Sequence, residues 1–169
     1  DDGTGTKFTG GNPSSNDPST ITESTNLDDD RQLTVNNITV NEGNGSNYAV
    51  FSVGTVAGQT LNLSLSDGTA VRTGSGDTLD FGSSLQYWNG SAWTAYSAGF
   101  TVPGTANANT TLLVRVQLNA DTTFEGSENF TLTAAYANGG AKSATGTATV
   151  KDDGTGTKFT GGNPSSNDP

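Results

Sequence analysis

TLNLSLSDG, residues 60–68, decides the class of fold. Leu61, Leu63 and Leu65 alternate strictly with Asn62, Ser64 and Ser66, so a pleated strand here puts leucines on one face and polar groups on the other. Asp67-Gly68 then turns the chain. The same period of two recurs on both sides. Downstream, residues 85–88 and 93–96 flank Asn89-Gly90, a strong short-range hairpin signal. Leu112, Val114, Val116 and Leu118 mark another strand, and Phe130, Leu132 and Ala134 another before Tyr136 and the breakers Asn138, Gly139 and Gly140. Residues 144–150 alternate small residues with Thr145, Thr147 and Thr149 until Asp152-Asp153 stops them.

Upstream, residues 48–56 read as a strand. Leu33, Val35, Ile38 and Val40 read as one strand whose apolar parity slips at Asn36-Asn37, which predicts a bulge. Leu79 and Phe81 predict a short separate element. No stretch asks to be a helix. The chain is expected to be all-β, an antiparallel Greek-key β-sandwich of about seven to nine strands with immunoglobulin-like layering, over residues 33–153.

Composition agrees. Hydrophobic residues make up only 30%, and the abundance of Thr, Gly and Asn suits strands joined by tight turns. Between residues 3 and 26 the chain is almost all Gly, Asn, Ser, Thr and Pro, so residues 1–32 are expected to be a linker without a core. Its first eighteen residues, DDGTGTKFTGGNPSSNDP, recur letter for letter as the last eighteen, at a spacing of 151 residues. That period is too long for a solenoid and marks a tandem array of whole domains. Residues 154–169 therefore read as the start of the next linker, and neighbouring identical repeats in the same chain are the expected partners.

Seven basic against seventeen acidic side chains give a net charge of −10, which opposes binding to nucleic acid or anionic lipid. Cysteine and histidine are absent, so disulfides, thiolate chemistry, histidine metal sites and Ser-His-Asp catalysis are all excluded. No apolar run is long enough to cross a membrane, and no membrane insertion of this segment is expected. The chain opens on Asp1 without a leader, so signals for secretion or anchoring are expected elsewhere.

The acids serve either solubility or a hard cation. Glu42, Glu125 and Glu128 fall at strand ends or loops, with Asp121 just before Glu125. In an antiparallel sandwich these residues and Asp152-Asp153 can gather at one end. Crowded carboxylates repel unless a divalent ion takes six to eight oxygens among them, so convergence would predict calcium. The alternative is that each carboxylate caps a strand end in solvent. Asp28-Asp29-Asp30 could add a calcium site at a junction between repeats, or form a solvated charge run.

Residues 114–153, VRVQLNADTTFEGSENFTLTAAYANGGAKSATGTATVKDD, resemble the second half of a Calx-β domain, with its acidic loop, Glu-Gly motif, Gly-rich hairpin and closing Asp-Asp. VNEGNGSNYAVFSV from Val40 resembles that family's opening strands, and Asp80-Phe81 its Asp-Tyr step. The resemblance implies a β-sandwich binding Ca2+ through Glu42, Asp80, Asp121, Glu125, Glu128, Asp152 and Asp153. Asn119-Ala120-Asp121 departs from the family's paired aspartates, which implies fewer ions or weaker binding. DDDRQLTVNNITVNEG with FGSSLQYWNGSAW further resembles tandem repeats of large RTX-type bacterial surface adhesins. That implies an extracellular, cell-surface, non-enzymatic extender arm that takes part in adhesion and biofilm formation.

Two other readings compete. Tyr87, Trp88, Trp93 and Tyr96 crowd one hairpin and either stack on a glycan, as in a carbohydrate-binding module, or pack across strands. Glu125 and Glu128 are a formal carboxylate pair for glycoside hydrolysis. The Thr145, Thr147, Thr149 strand suggests a flat ice-binding face, but such a face needs several threonine strands in register and one is evident.

Overall fold

Ten strands make two five-stranded sheets in the computed structural model, which describes residues 32–42, 47–73, 79–120, 125–137 and 142–152. They are β1 (Thr34–Val35), β2 (Ile38–Asn41), β3 (Asn47–Val56), β4 (Thr60–Asp67), β5 (Phe81–Trp88), β6 (Trp93–Ala95), β7 (Phe100–Thr101), β8 (Asn109–Leu118), β9 (Ser127–Tyr136) and β10 (Ser143–Lys151). One sheet has the order β1-β3-β8-β5-β6 and the other β2-β10-β9-β4-β7. The expected sandwich is present, with short β1, β6 and β7 raising the strand count above seven to nine. Every pairing is antiparallel except β2 with β10, which is parallel.

The opening segment departs from expectation. The parity slip at Asn36-Asn37 is a change of sheet and not a bulge, for β1 pairs with β3 and β2 with β10. Each asparagine is tied to one sheet. Asn36 donates its backbone N–H to Ser52 and accepts from the Ser52 amide through Oδ1 at 2.7 Å, while Asn37 Oδ1 accepts from the Thr147 amide at 2.9 Å. The crossing passes directly over Gly146, where any β-carbon would collide with the Asn36 carbonyl oxygen.

Nor are Leu79 and Phe81 a separate element. Phe81 opens β5, and the register with β8 shifts between Phe81 and Leu85. The hairpin is as read: Trp88 pairs with Trp93, Asn89 Oδ1 accepts from the Ser91 and Ala92 amides at 2.9 Å, and Gly90 takes φ 101°. Between the sheets, Phe130 stacks on Phe81 at 3.9 Å and meets Phe51 edge-on at 6.0 Å, all three being buried. Burying each ring contributes roughly 1.5–3 kcal/mol.

The registers bring six strand ends to one pole of the sandwich. Asn47 pairs with Leu118, which also faces Phe81, and Lys151 pairs with both Asn41 and Ser127. The acids flank these positions.

Candidate metal centre

The carboxylates lie where the inner faces of the sheets run out. On β9, Phe130, Leu132, Ala134 and Tyr136 point into the core, and Glu128 occupies the same parity one step beyond Phe130. On β2 and β10 the inward residues Val40 and Val150 are followed at the same parity by Glu42 and Asp152. Asp80 immediately precedes the buried Phe81. Glu42, Glu128 and Asp152 thus continue lines of core side chains past their last apolar members, while Asp80 and Glu125 are held by local bonds.

Local bonds hold them there. Asp80 Oδ2 accepts from the Val71 amide at 2.6 Å, and its backbone is fixed on both sides, donating to Val71 O at 3.1 Å and accepting from Asn119 at 2.9 Å. Glu42 donates its amide to Lys151 O at 2.9 Å, which fastens the end of β2 to the end of β10. Asp152 Oδ2 accepts from the Glu125 amide at 3.3 Å, and the Asp152 amide donates to Gly126 O at 3.3 Å. Gly126 has φ 91°, a left-handed turn that lets Glu125 and Glu128 reach the same point from one loop.

Asp80, Glu125 and Glu128 each place a carboxylate oxygen within 4.8 Å of the other two. Asp80 is buried, Glu128 half-buried and Glu125 exposed. Burial, then a hydrogen bond with Asp80, then the negative charges of Asp80, Glu125 and Glu42 push the Glu128 carboxyl up to about 7. A proton on Glu128 therefore bridges to Asp80 near neutral pH and relieves repulsion that a cation would also relieve.

The donor set fits a hard divalent ion. All three groups offer carboxylate oxygen, and ligands on opposite sides of a calcium ion lie about 4.6–5.2 Å apart when each bond is about 2.3–2.6 Å. The three oxygens lie no more than 4.8 Å apart, close enough to share one ion.

Of the residues read from sequence, Asp80, Glu125 and Glu128 are brought together. Glu42, 5% exposed, is close enough to raise the Glu128 pKa, and Asp152 reaches the group through the Glu125 backbone. Asp28, Asp29, Asp30, Asp121 and Asp153 lie outside the described residues. Sequence reasoning missed Asn47, the first residue of β3. It is fully buried at this pole and donates through Nδ2 to the Glu42 carbonyl oxygen, while its Oδ1 has no hydrogen-bond partner among the described residues. Its signal was parity: Asn47 lies in line with the buried Ala49, Phe51 and Val53.

The aromatic hairpin is packed into its own sheet. Trp88 meets Trp93 at 65° and 5.6 Å, and the Arg115 guanidinium lies between the Trp93 ring at 4.2 Å and the Tyr48 ring at 3.9 Å. One face of Trp93 is therefore already covered. Burial pushes the Arg115 pKa below its ordinary value, offset in part by Tyr48. On the other sheet's outer face, more than one hydroxyl strand is in register: Thr147 pairs with Thr131 and Ser66 follows, and Thr145 pairs with Thr133, then Ser64. The Thr133 and Thr145 hydroxyls are hydrogen-bonded at 2.9 Å.

No family model and no curated protein matches the chain. The acidic pole is therefore read from its own geometry.

Proposed function

We propose that this chain is a non-enzymatic, calcium-stabilised extender repeat of a secreted adhesin on a bacterial cell surface. The observation that carries the metal reading is the convergence of Asp80, Glu125 and Glu128 to within 4.8 Å at the end of the core, with Glu42 and Asp152 beside them. The spacer reading is supported by the eighteen-residue identity 151 residues apart, which makes the domain one unit of a string.

The mechanism is linkage. In the folded chain the carboxylates are held together, and in the unfolded chain they are scattered over more than a hundred residues. An ion that binds only the folded arrangement stabilises it by RT ln(1 + [Ca2+]/Kd), roughly 2.7 kcal/mol at a hundredfold excess. Extracellular modules bind calcium in the submillimolar to millimolar range. Such a repeat would be weakly held together inside the cell and firm outside it. An unrestrained chain of about 25 residues would span only about 25–30 Å on average, so in this reading added reach comes from the folded units unless calcium also orders the junction.

The test is a calcium titration of the 169-residue chain and of a two-repeat chain, following melting temperature and small-angle scattering together. A melting temperature that rises with calcium and falls back with chelator supports the reading. A melting temperature indifferent to both removes calcium from it. A calcium-independent length of the two-repeat chain removes stiffening of the junction and leaves the stabilised unit.

A further inference from the structure

We infer that Asn47 is a neutral oxygen ligand of the cation at the acidic pole, joining Asp80 on one sheet in holding the ion against Glu128 on the other. The inference rests on the calcium reading proposed above. Asn47 begins β3, in the sheet opposite the one that carries Glu42, Glu128 and Asp152. Its side chain is wholly buried and points inward by parity.

The amide can sit only one way round. Nδ2 donates to the Glu42 carbonyl oxygen, and turning the amide over would set its oxygen against that carbonyl oxygen. Oδ1 is thereby directed away from the bond, buried, with no donor to satisfy it among the described residues. A buried acceptor without a partner is costly, and Asn47 shares its pole with the acids, for it pairs with Leu118, whose neighbour Asn119 donates its amide to the Asp80 carbonyl oxygen. A cation is the partner that suits an amide oxygen and carboxylates at once. Calcium in particular takes six to eight oxygens and mixes carboxylates with amide carbonyls, whereas magnesium keeps its waters and uses few protein ligands. Asn47 therefore favours calcium over magnesium.

Both sheets would contribute to the site. Glu128 supplies charge from β9, and Glu42 and Asp152 lie beside it at the ends of β2 and β10. Asp80 supplies charge from just before β5 in the other sheet, and Asn47 would reach from β3 in that same sheet without adding to the repulsion. An ion held from both sides opposes separation of the sheets at the end of the core, just beyond the Phe81–Phe130 stack.

The experiment is calorimetric titration of the 169-residue chain with calcium and with magnesium, in the wild type, Asn47→Ala and Asn47→Asp. Asn47→Ala removes the oxygen and is expected to weaken calcium binding about tenfold or more, with magnesium affected less. Asn47→Asp keeps the oxygen and adds a charge, so it should bind calcium at least as tightly as the wild type while melting lower in chelator. Should Asn47→Ala be unfolded in chelator, the Asp variant carries the test by itself through its larger calcium-induced rise in melting temperature. Wild-type calcium affinity in both variants would overturn the ligand role and leave the calcium reading standing. A wild type that binds no calcium would overturn the calcium reading and this inference with it.

Discussion

Glu128→Gln should make the metal-free protein more stable and the calcium-loaded protein less so. Gln has the shape of the protonated acid and can donate to Asp80 as the protonated acid does, so the variant holds the proton-bridged arrangement at any pH. At pH 8 the wild-type carboxyl, displaced up to about 7, is largely ionised and faces Asp80 and Glu125 oxygens no more than 4.8 Å away. One such pair repels by about 0.9 kcal/mol at the dielectric constant of water and by about 3.5 kcal/mol at an effective value of 20. Because Glu125 is exposed and Glu128 half-buried, the screened end applies, and the relief is about 1 kcal/mol. For a domain of this size that raises the melting temperature by roughly 4 °C. Calcium at a hundredfold excess over Kd should add about 2.7 kcal/mol, roughly 10 °C, to the wild type and much less to the variant. Differential scanning calorimetry at pH 8, in chelator and in calcium, reads both effects. A variant that melts lower than wild type in chelator, or that responds to calcium in full, would falsify the assignment of Glu128 to a shared site.

Acidity should stabilise the metal-free domain, as calcium does. The folded Glu128 pKa, about 7, lies above its ordinary 4.5, so the folded state holds the proton more tightly. Its contribution to stability is full below pH 4.5 and is lost as pH rises through about 7; a melting-temperature profile in chelator should fall across that window in the wild type and stay flat in Glu128→Gln. Phe130→Ala empties the centre of the Phe51, Phe81 and Phe130 cluster and should cost about 3–5 kcal/mol, measured by urea unfolding. Gly146→Ala drives a methyl group into the Asn36 carbonyl where the chain changes sheets and should cost about 1–3 kcal/mol, although alanine in an open strand would gain stability; thermal melting decides the sign.

The parts of the fold legible in the sequence were those governed by neighbours along the chain. Alternation at Leu61, Leu63 and Leu65 reports a strand wherever its partners lie, and Asn89-Gly90 closes a hairpin through its own backbone. The change of sheet at Asn36-Asn37 was not legible, because a bulge and a crossover both displace apolar parity by one. What separates them is that Ser52 accepts and donates to one asparagine and Thr147 to the other, residues that lie far off in sequence. The threonine rows were hidden for a similar reason. Residues 130–134 drew attention to their inward members, and only the register shows that Thr131 and Thr133 stand beside Thr147 and Thr145.

The acidic pole was half legible. Glu42, Glu125, Glu128 and Asp152 were read from the antiparallel order of strands, whereas Asp80 was named only by the resemblance to Calx-β domains. What sequence alone carries, once sought, is parity: Val40-x-Glu42, Glu128-x-Phe130 and Val150-x-Asp152 set each acid in line with a core residue. An acid on that line lies between two sheets that also exclude water, so the same packing that stabilises Phe130 and Val150 concentrates negative charge at their end. A positive charge that enters there, either a proton on Glu128 or a metal ion, relieves that repulsion. Hydrophobic burial thus builds the demand for a cation into the fold itself, and an orphaned amide oxygen at Asn47 favours the metal, since a proton shared between carboxylates leaves that oxygen unsatisfied.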